Sequence, residues 1–193
     1  MTNKTYQIRI ALKEIKPKIW RRILVPSNLS LPDFHKVIQT TMGWTNSHLH
    51  QFIKNKTYYT EKLSDEYDWS EMNNVDYKKI KISDLLKKEK DKMIYEYDFG
   101  DDWEHDIILE KINPIGENKN NPICLAGKNN CPPEDCGGTW GYSNMLEILK
   151  QPDNEEYEEY IEWIGKDFDP GYFDKDIINS MLKTEDFGCF ELF

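Results

Sequence analysis

The stretch Tyr95-Glu96-Tyr97-Asp98-Phe99-Gly100-Asp101-Asp102-Trp103-Glu104-His105 decides the fold class. Met93–Phe99 and Trp103–Ile112 read as strands, and Gly100-Asp101-Asp102 between them is a hairpin signal. The same stretch sets three aspartates and a histidine among aromatic rings around one glycine, which makes it a candidate site as well as a turn. Two further clusters accompany it: Ser47-His48-Leu49-His50 upstream, and Cys131-Pro132-Pro133-Glu134-Asp135-Cys136-Gly137-Gly138 downstream.

Working outward, Tyr6, Ile8, Ile10 and Leu12 alternate with polar residues, the pattern of a strand with one buried face. Pro17 breaks that run, and Ile19–Val25 resumes as a second strand before Pro26. Ser30 and Asp33 have helix-cap spacing, and Leu31, Phe34, Val37, Ile38 and Met42 follow at helical spacing. The first helix is therefore Leu31–Met42, ended by Gly43. His48–Tyr59 reads as one strand, Lys62–Lys79 as an irregular excursion, and Asp84–Lys88 as a short turn capped by Ser83. Asn113–Gly141 holds most of the Pro, Gly and Asn and reads as a long ordered or metal-held loop. Helices close the chain: Asn144–Gln151, with Asn144 and Glu147 in capping-box register; a second, where Asp153 and Glu156 repeat that device before Tyr157, Tyr160, Ile161 and Ile164; and Asp176–Lys183, after a turn at Asp169-Pro170-Gly171. Strands with one early helix, then helices, give an α+β class: a single compact domain over residues 1–193, mainly an antiparallel sheet with a C-terminal helical segment.

A chain of 193 residues suits one domain with its own core, and its 11 Tyr, 8 Phe and 6 Trp supply large rings for it. Mean hydropathy is -0.77, and no run reaches the roughly 20 apolar residues of a membrane-spanning helix. Met1–Tyr6 lacks the apolar stretch of a secretory signal, so a cytoplasmic protein with reduced thiols or metal-ligand cysteines is expected. The net charge of -10 disfavours bulk nucleic-acid binding, which rests on Lys and Arg neutralising phosphates. That argument leaves recognition of a small or cationic ligand untouched. The acidic run Glu155–Glu162 reads as a solvated helix face.

In a strand, His48 and His50 share a face about 6–7 Å apart, so both imidazoles could meet one metal; packing on aromatic neighbours is the alternative. Asp98, Asp101, Asp102 and His105 offer oxygen and nitrogen ligands, or a carboxylate that orients an imidazole. Aspartate also occupies turns for its bonds to following N–H groups, which suffices for Asp101 and Asp102. Cys124, Cys131 and Cys136 with one histidine could complete a tetrahedral zinc site, or be buried thiols of a rigid loop, or include a reactive thiol. Cys189, between Phe187 and Phe190, is read as core packing.

These residues also carry a family likeness. Ile19-Trp20-Arg21-Arg22-Ile23, Phe34-His35-x-x-Ile38-Gln39 leading into Met42-Gly43-Trp44, Ser47-His48-Leu49-His50-x-Phe52, Tyr97-Asp98-Phe99-Gly100-Asp101-x-Trp103-x-His105 and the Cys131–Gly138 segment together resemble the plasmid pRiA4b ORF-3-like family. The resemblance spans nearly the whole chain. It implies a single compact α+β domain and a mobile-element gene context, and it implies no assigned reaction. The chain has no serine-recombinase signature, so recombinase activity is not carried over.

The functional expectation is a binding domain whose site forms where the His48/His50 strand, the Asp98–His105 hairpin and the Cys131–Cys136 loop converge. Its candidate residues are His48, His50, Asp98, Asp101, Asp102, His105, Glu134 and Asp135. No cofactor is assigned by the sequence, and a divalent metal such as zinc is the candidate, on His48, His50, His105 and Asp98 or on Cys124, Cys131 and Cys136. The alternative is a metal-dependent hydrolase, of phosphoesters for example, in which a His/Asp-bound metal lowers the pKa of a bound water. A third reading is a protein–protein adaptor, whose mark would be a broad apolar patch.

Overall fold

The structure, a computed structural model, describes residues 4–62, 73–114 and 121–190. The hairpin sits at the centre of one eight-stranded sheet. Strands β1 (Lys4–Leu12), β2 (Trp20–Pro26), β3 (His50–Lys54), β4 (Thr57–Thr60), β5 (Asn74–Asp76), β6 (Lys92–Tyr97), β7 (Trp103–Pro114) and β8 (Ile123–Lys128) run in the order β5-β4-β3-β6-β7-β1-β2-β8. All neighbours are antiparallel except β4 and β5, so the α+β class and the mainly antiparallel sheet are as expected.

Period-two burial drives the sheet. Met93, Tyr95 and Tyr97 of β6 and Trp103, His105, Ile107 and Leu109 of β7 all point to the core side. Helix α1 (Leu31–Met42) contributes Phe34, Val37 and Ile38 to the same core, with Phe34 stacked on Phe52 at 5.8 Å. Each such fully buried side chain contributes about 1.5–3 kcal/mol. Ser30 caps α1 by accepting from Asp33 N–H, and Gly43 ends it at φ 103°, a conformation open to glycine.

Five expectations change. His48–Tyr59 is two strands, because Asn55 and Lys56 turn at φ 51° and 64°, and His48 precedes β3 altogether. The Asn113–Gly141 loop contains β8, whose pairing with β2 is non-local and so left no short-range signal. Helix α3 (Gly138–Ile148) begins six residues before Asn144, with Gly137 at φ 84° as its entry, so the Asn144/Glu147 cap is not used. Helix α2 (Ile82–Leu85) is capped from Lys81, with Asp84 accepting from Lys81 N–H, which leaves Ser83 inside it. Helix α4 (Tyr157–Ile164) starts after the Asp153/Glu156 pair rather than on it. The final helix, α5 (Lys175–Met181), is capped by Asp174, and Cys189 is buried. Of the expected excursion over Lys62–Lys79, β5 is observed, and 63–72 lie outside the described residues. No described helix is long and apolar enough to cross a membrane.

Candidate functional site: an acidic crevice around His48

Three chain segments meet at the end of the sheet where β6 turns into β7. The first is the run after α1. Trp44 stacks on Tyr97 at 4.8 Å and donates its Nε1–H to Pro132 O, which ties this run to both the hairpin and the cysteine segment. The second is the hairpin turn, where Asp98 N–H bonds to Leu49 O and Asp102 N–H to Asp98 O. The third is the loop after β8, held by Gly137 N–H donating to Asp101 Oδ2. Gly138 makes that approach possible, since a Cβ there would lie 2.5 Å from Asp101 O.

His48 lies where they meet. Its Nε2 is 3.3 Å from Asp135 Oδ1, 3.7 Å from Asp98 Oδ2 and 3.9 Å from Glu134 Oε2. It is enclosed and makes no hydrogen bond, and the same holds for Glu134 Oε2. Two of these carboxylates, Asp98 and Glu134, are aimed by their other oxygens. Asp98 Oδ1 accepts from Gly100 N–H at 2.9 Å, which leaves Oδ2 toward His48. Glu134 Oε1 accepts from Thr45 N–H at 2.8 Å, Thr45 Oγ1–H at 3.1 Å and Tyr97 O–H at 3.1 Å. Burial and the Glu134 charge push the Tyr97 phenol far up, so it remains a donor, while its oxygen accepts from Ser47 N–H. The backbone is strained here: Asn46, Asp98 and Asp135 have φ of 59°, 58° and 57°, and such left-handed non-glycine residues cluster at functional sites.

Among the described residues, His48, Asp98 and Asp135 are the His/Cys/Asp/Glu group whose ligand atoms all lie within 4.8 Å of one another. Ligand atoms of a tetrahedral zinc, at about 2.0–2.2 Å from the ion, are themselves roughly 3.3–3.6 Å apart. The Asp135 distance of 3.3 Å falls in that range, and the Asp98 distance of 3.7 Å lies just beyond it.

The other candidate residues stand elsewhere. His50 and His48 do not share a face, because the bend at His48 lies outside the regular strand. His50 instead stacks on His35 with centroids 3.4 Å apart and planes 3° from parallel, and its Nε2 meets Tyr77 Oη at 2.8 Å. His35 belongs to a closed network that sequence reading left out. Asn46 donates Nδ2–H to Phe190 O and so presents Oδ1 to His35 Nε2–H at 2.8 Å. His35 Nδ1 then accepts from Tyr95 O–H, Tyr95 Oη accepts from Gln39 Nε2–H, and Gln39 Oε1 accepts from Asn46 N–H. Burial pulls His35 down to about 4 and His50 well below its ordinary value, so both are neutral imidazoles. The signal for His35 was its place between Phe34 and Val37, on the apolar face of α1.

His105 is fully buried, edge-on to Trp44, and donates Nδ1–H to Tyr95 O, with burial lowering it to about 4. It faces the core rather than the crevice. Asp102 is exposed at φ 56° and serves the turn, and Asp101 holds the cysteine loop. Burial raises Cys124 and Cys131 and pushes Cys136 up to about 12, and among the described residues the three thiols do not come together as one ligand group. Beside His48 opens a cleft of about 520 Å³, lined among others by Ser47, His50, Glu61, Tyr77 and Lys78.

Comparison with known proteins gives the chain its relatives. A curated protein from Sinorhizobium fredii, the uncharacterized protein y4hQ, is 35% identical over 171 residues, which is 88% of this chain and 86% of that one. A crystal structure of a protein of unknown function, MM3350 from Methanosarcina mazei Go1, has 42% identity and a TM-score of 0.81, covering 92% of this chain and 98% of that chain. The family model described as plasmid pRiA4b ORF-3-like protein matches residues 4–177, and with that span the chain belongs to the plasmid pRiA4b ORF-3-like family.

Proposed function

We propose that the protein is a cytoplasmic binding domain whose centre is a divalent metal ion held by His48, Asp98 and Asp135. The observation that carries this reading is the enclosed His48 Nε2, unbonded yet within 4 Å of three carboxylate oxygens. A cation at about 2.1 Å from His48 Nε2 and from a carboxylate oxygen spans separations up to roughly 4.2 Å, which the 3.3 and 3.7 Å distances to Asp135 and Asp98 satisfy. One imidazole with two or three carboxylates suits zinc or manganese. The other oxygens of Asp98 and of the neighbouring Glu134 are held by hydrogen bonds, an arrangement that fixes carboxylates around a metal.

Elemental analysis of untagged protein purified without chelator, followed by calorimetric titration with zinc and manganese, tests this. Near-stoichiometric metal, lost in His48→Ala and kept in His50→Ala, is the expected result. Metal equally retained in both variants, or absent even after loading, overturns it.

A second reading, metal-dependent hydrolysis, is favoured by one observation. Glu134 Oε2 is enclosed and unpartnered beside the three ligands, placed to take a proton from a metal-bound water. The neighbouring cleft would admit substrate. Hydrolysis of p-nitrophenyl phosphate esters by the metal-loaded protein, lost in Glu134→Gln with metal retained, separates this reading from binding alone.

A further inference from the structure

Far from the crevice in the sequence, β2 breaks its own pattern. The inward side of this strand reads Arg21, Ile23, Val25, and Arg21 is only 2% exposed. A buried guanidinium ordinarily meets a carboxylate. Arg22, one residue on, does so: its Nε and Nη2 donate to the two oxygens of Glu110 at 2.6 and 2.9 Å. Arg21 instead donates Nε–H to Thr41 O at 2.7 Å, and Nη1–H to Trp20 O at 2.9 Å and Lys128 O at 3.1 Å. All three acceptors are neutral carbonyls. Thr41 lies in the last turn of α1, whose negative dipole end offsets part of the charge. The titratable neighbours that act on Arg21 are Cys124 and Cys131, both kept as neutral thiols by burial, so neither is a counterion.

The guanidinium has a lid and a cavity. The Phe173 ring lies over it at 4.9 Å, and the chain permits that by having glycine at 127, where a Cβ would come within 2.4 Å of the ring. Nη2 donates to no described residue, which leaves both of its protons for whatever fills the adjoining space. That space is a cavity of about 160 Å³ bordered by Arg21, Thr40, Met42, Phe173, Ile178 and Met181. Thr40 is itself 4% exposed with a hydroxyl that has no hydrogen-bond partner.

We propose that this cavity binds a short-chain monocarboxylate, its carboxylate on Arg21 Nη2 and its alkyl part against Met42, Ile178 and Met181. The charge argument sets the valence. One uncompensated positive charge is neutralised by a monoanion, whereas a dianion such as phosphate leaves an excess negative charge near Asp174, which also borders the cavity. The volume sets the length. At about 30 Å³ per water-sized group, 160 Å³ holds roughly five non-hydrogen groups, a carboxylate with two or three carbons attached. Met42, Ile178 and Met181 give the alkyl part an apolar wall.

The experiment titrates the full chain with butyrate at constant ionic strength, by calorimetry and by saturation-transfer NMR, beside butyramide and inorganic phosphate. Saturable butyrate binding, with butyramide and phosphate at least about tenfold weaker, is expected, since the ionic hydrogen bond is the one the amide cannot make. Ile178→Phe fills the cavity while leaving Arg21 in place, and it should abolish butyrate binding without moving the melting midpoint. Equal binding of butyrate and butyramide, no saturable binding to the wild type, or full binding retained in a folded Ile178→Phe protein each overturn the proposal. The outcome is independent of the metal site, whose ligands lie on other segments.

Discussion

His48 and the stacked pair His35–His50 are near neighbours treated in opposite ways. Around His35, each ring nitrogen has a neutral partner, Tyr95 or Asn46, and the imidazole is locked as an uncharged strut. Around His48, Nε2 has no partner and faces three carboxylates. One arrangement spends its polarity on holding α1 to β6. The other keeps a donor set unused within the protein itself. A histidine's meaning in a chain therefore depends on whether the surrounding groups complete its hydrogen bonds or leave them open.

The sharpest break of this contrast is His48→Ala. It should lower divalent-metal affinity by more than about 100-fold, beyond the 10–100-fold typical of changes outside the ligand shell, and leave folding stability within about 0.5 kcal/mol. Calorimetry with zinc and urea denaturation read the two quantities separately. His35→Ala should do the reverse. It opens a cavity and strands Tyr95 and Asn46, costing roughly 2–4 kcal/mol in urea denaturation with metal affinity retained.

Acid sharpens the same comparison. His35 and His105 sit at about 4 when folded and near 6.5 when unfolded, so between those values the unfolded chain binds more protons. Stability is then full above pH 6.5 and falls as the pH drops toward 4, by up to roughly 3 kcal/mol for each histidine. Urea midpoints across pH 7.5 to 4 should show that slope, and His105→Gln should flatten it. A slope of the opposite sign would mean that these imidazoles are charged in the native state. The smallest effect expected is Tyr97→Phe. Losing one hydrogen bond to Glu134 should weaken metal binding by about tenfold with no loss of the His35 network.

Much of the framework was legible because its causes are local. Ser30 with Asp33, the spacing of Leu31, Phe34 and Ile38, and Gly43 together define α1 without reference to the rest of the chain. The alternation around Gly100-Asp101-Asp102 defines β6 and β7 in the same way. Strand β8 was not legible, because what makes it a strand is β2, a hundred residues away in the chain. The side chains of the crevice were visible as three clusters, but their division of labour was not. His48 and His50 look alike in sequence, and only the bend before β3 sends one to the carboxylates and the other to His35. Tyr97 and Thr45, which aim Glu134, gave no signal at all, since a hydrogen bond across the fold has no sequence period.

The left-handed residues Asn46, Asp98 and Asp135 carry one more consequence. Each holds a conformation that glycine adopts more easily, at a cost on the order of 1 kcal/mol. A laboratory selection for heat resistance alone would accumulate glycines at these positions, and each gain would remove a carboxylate or a hinge of the crevice. The pattern of substitutions recovered from such a selection would outline the site before anyone knew its ligand.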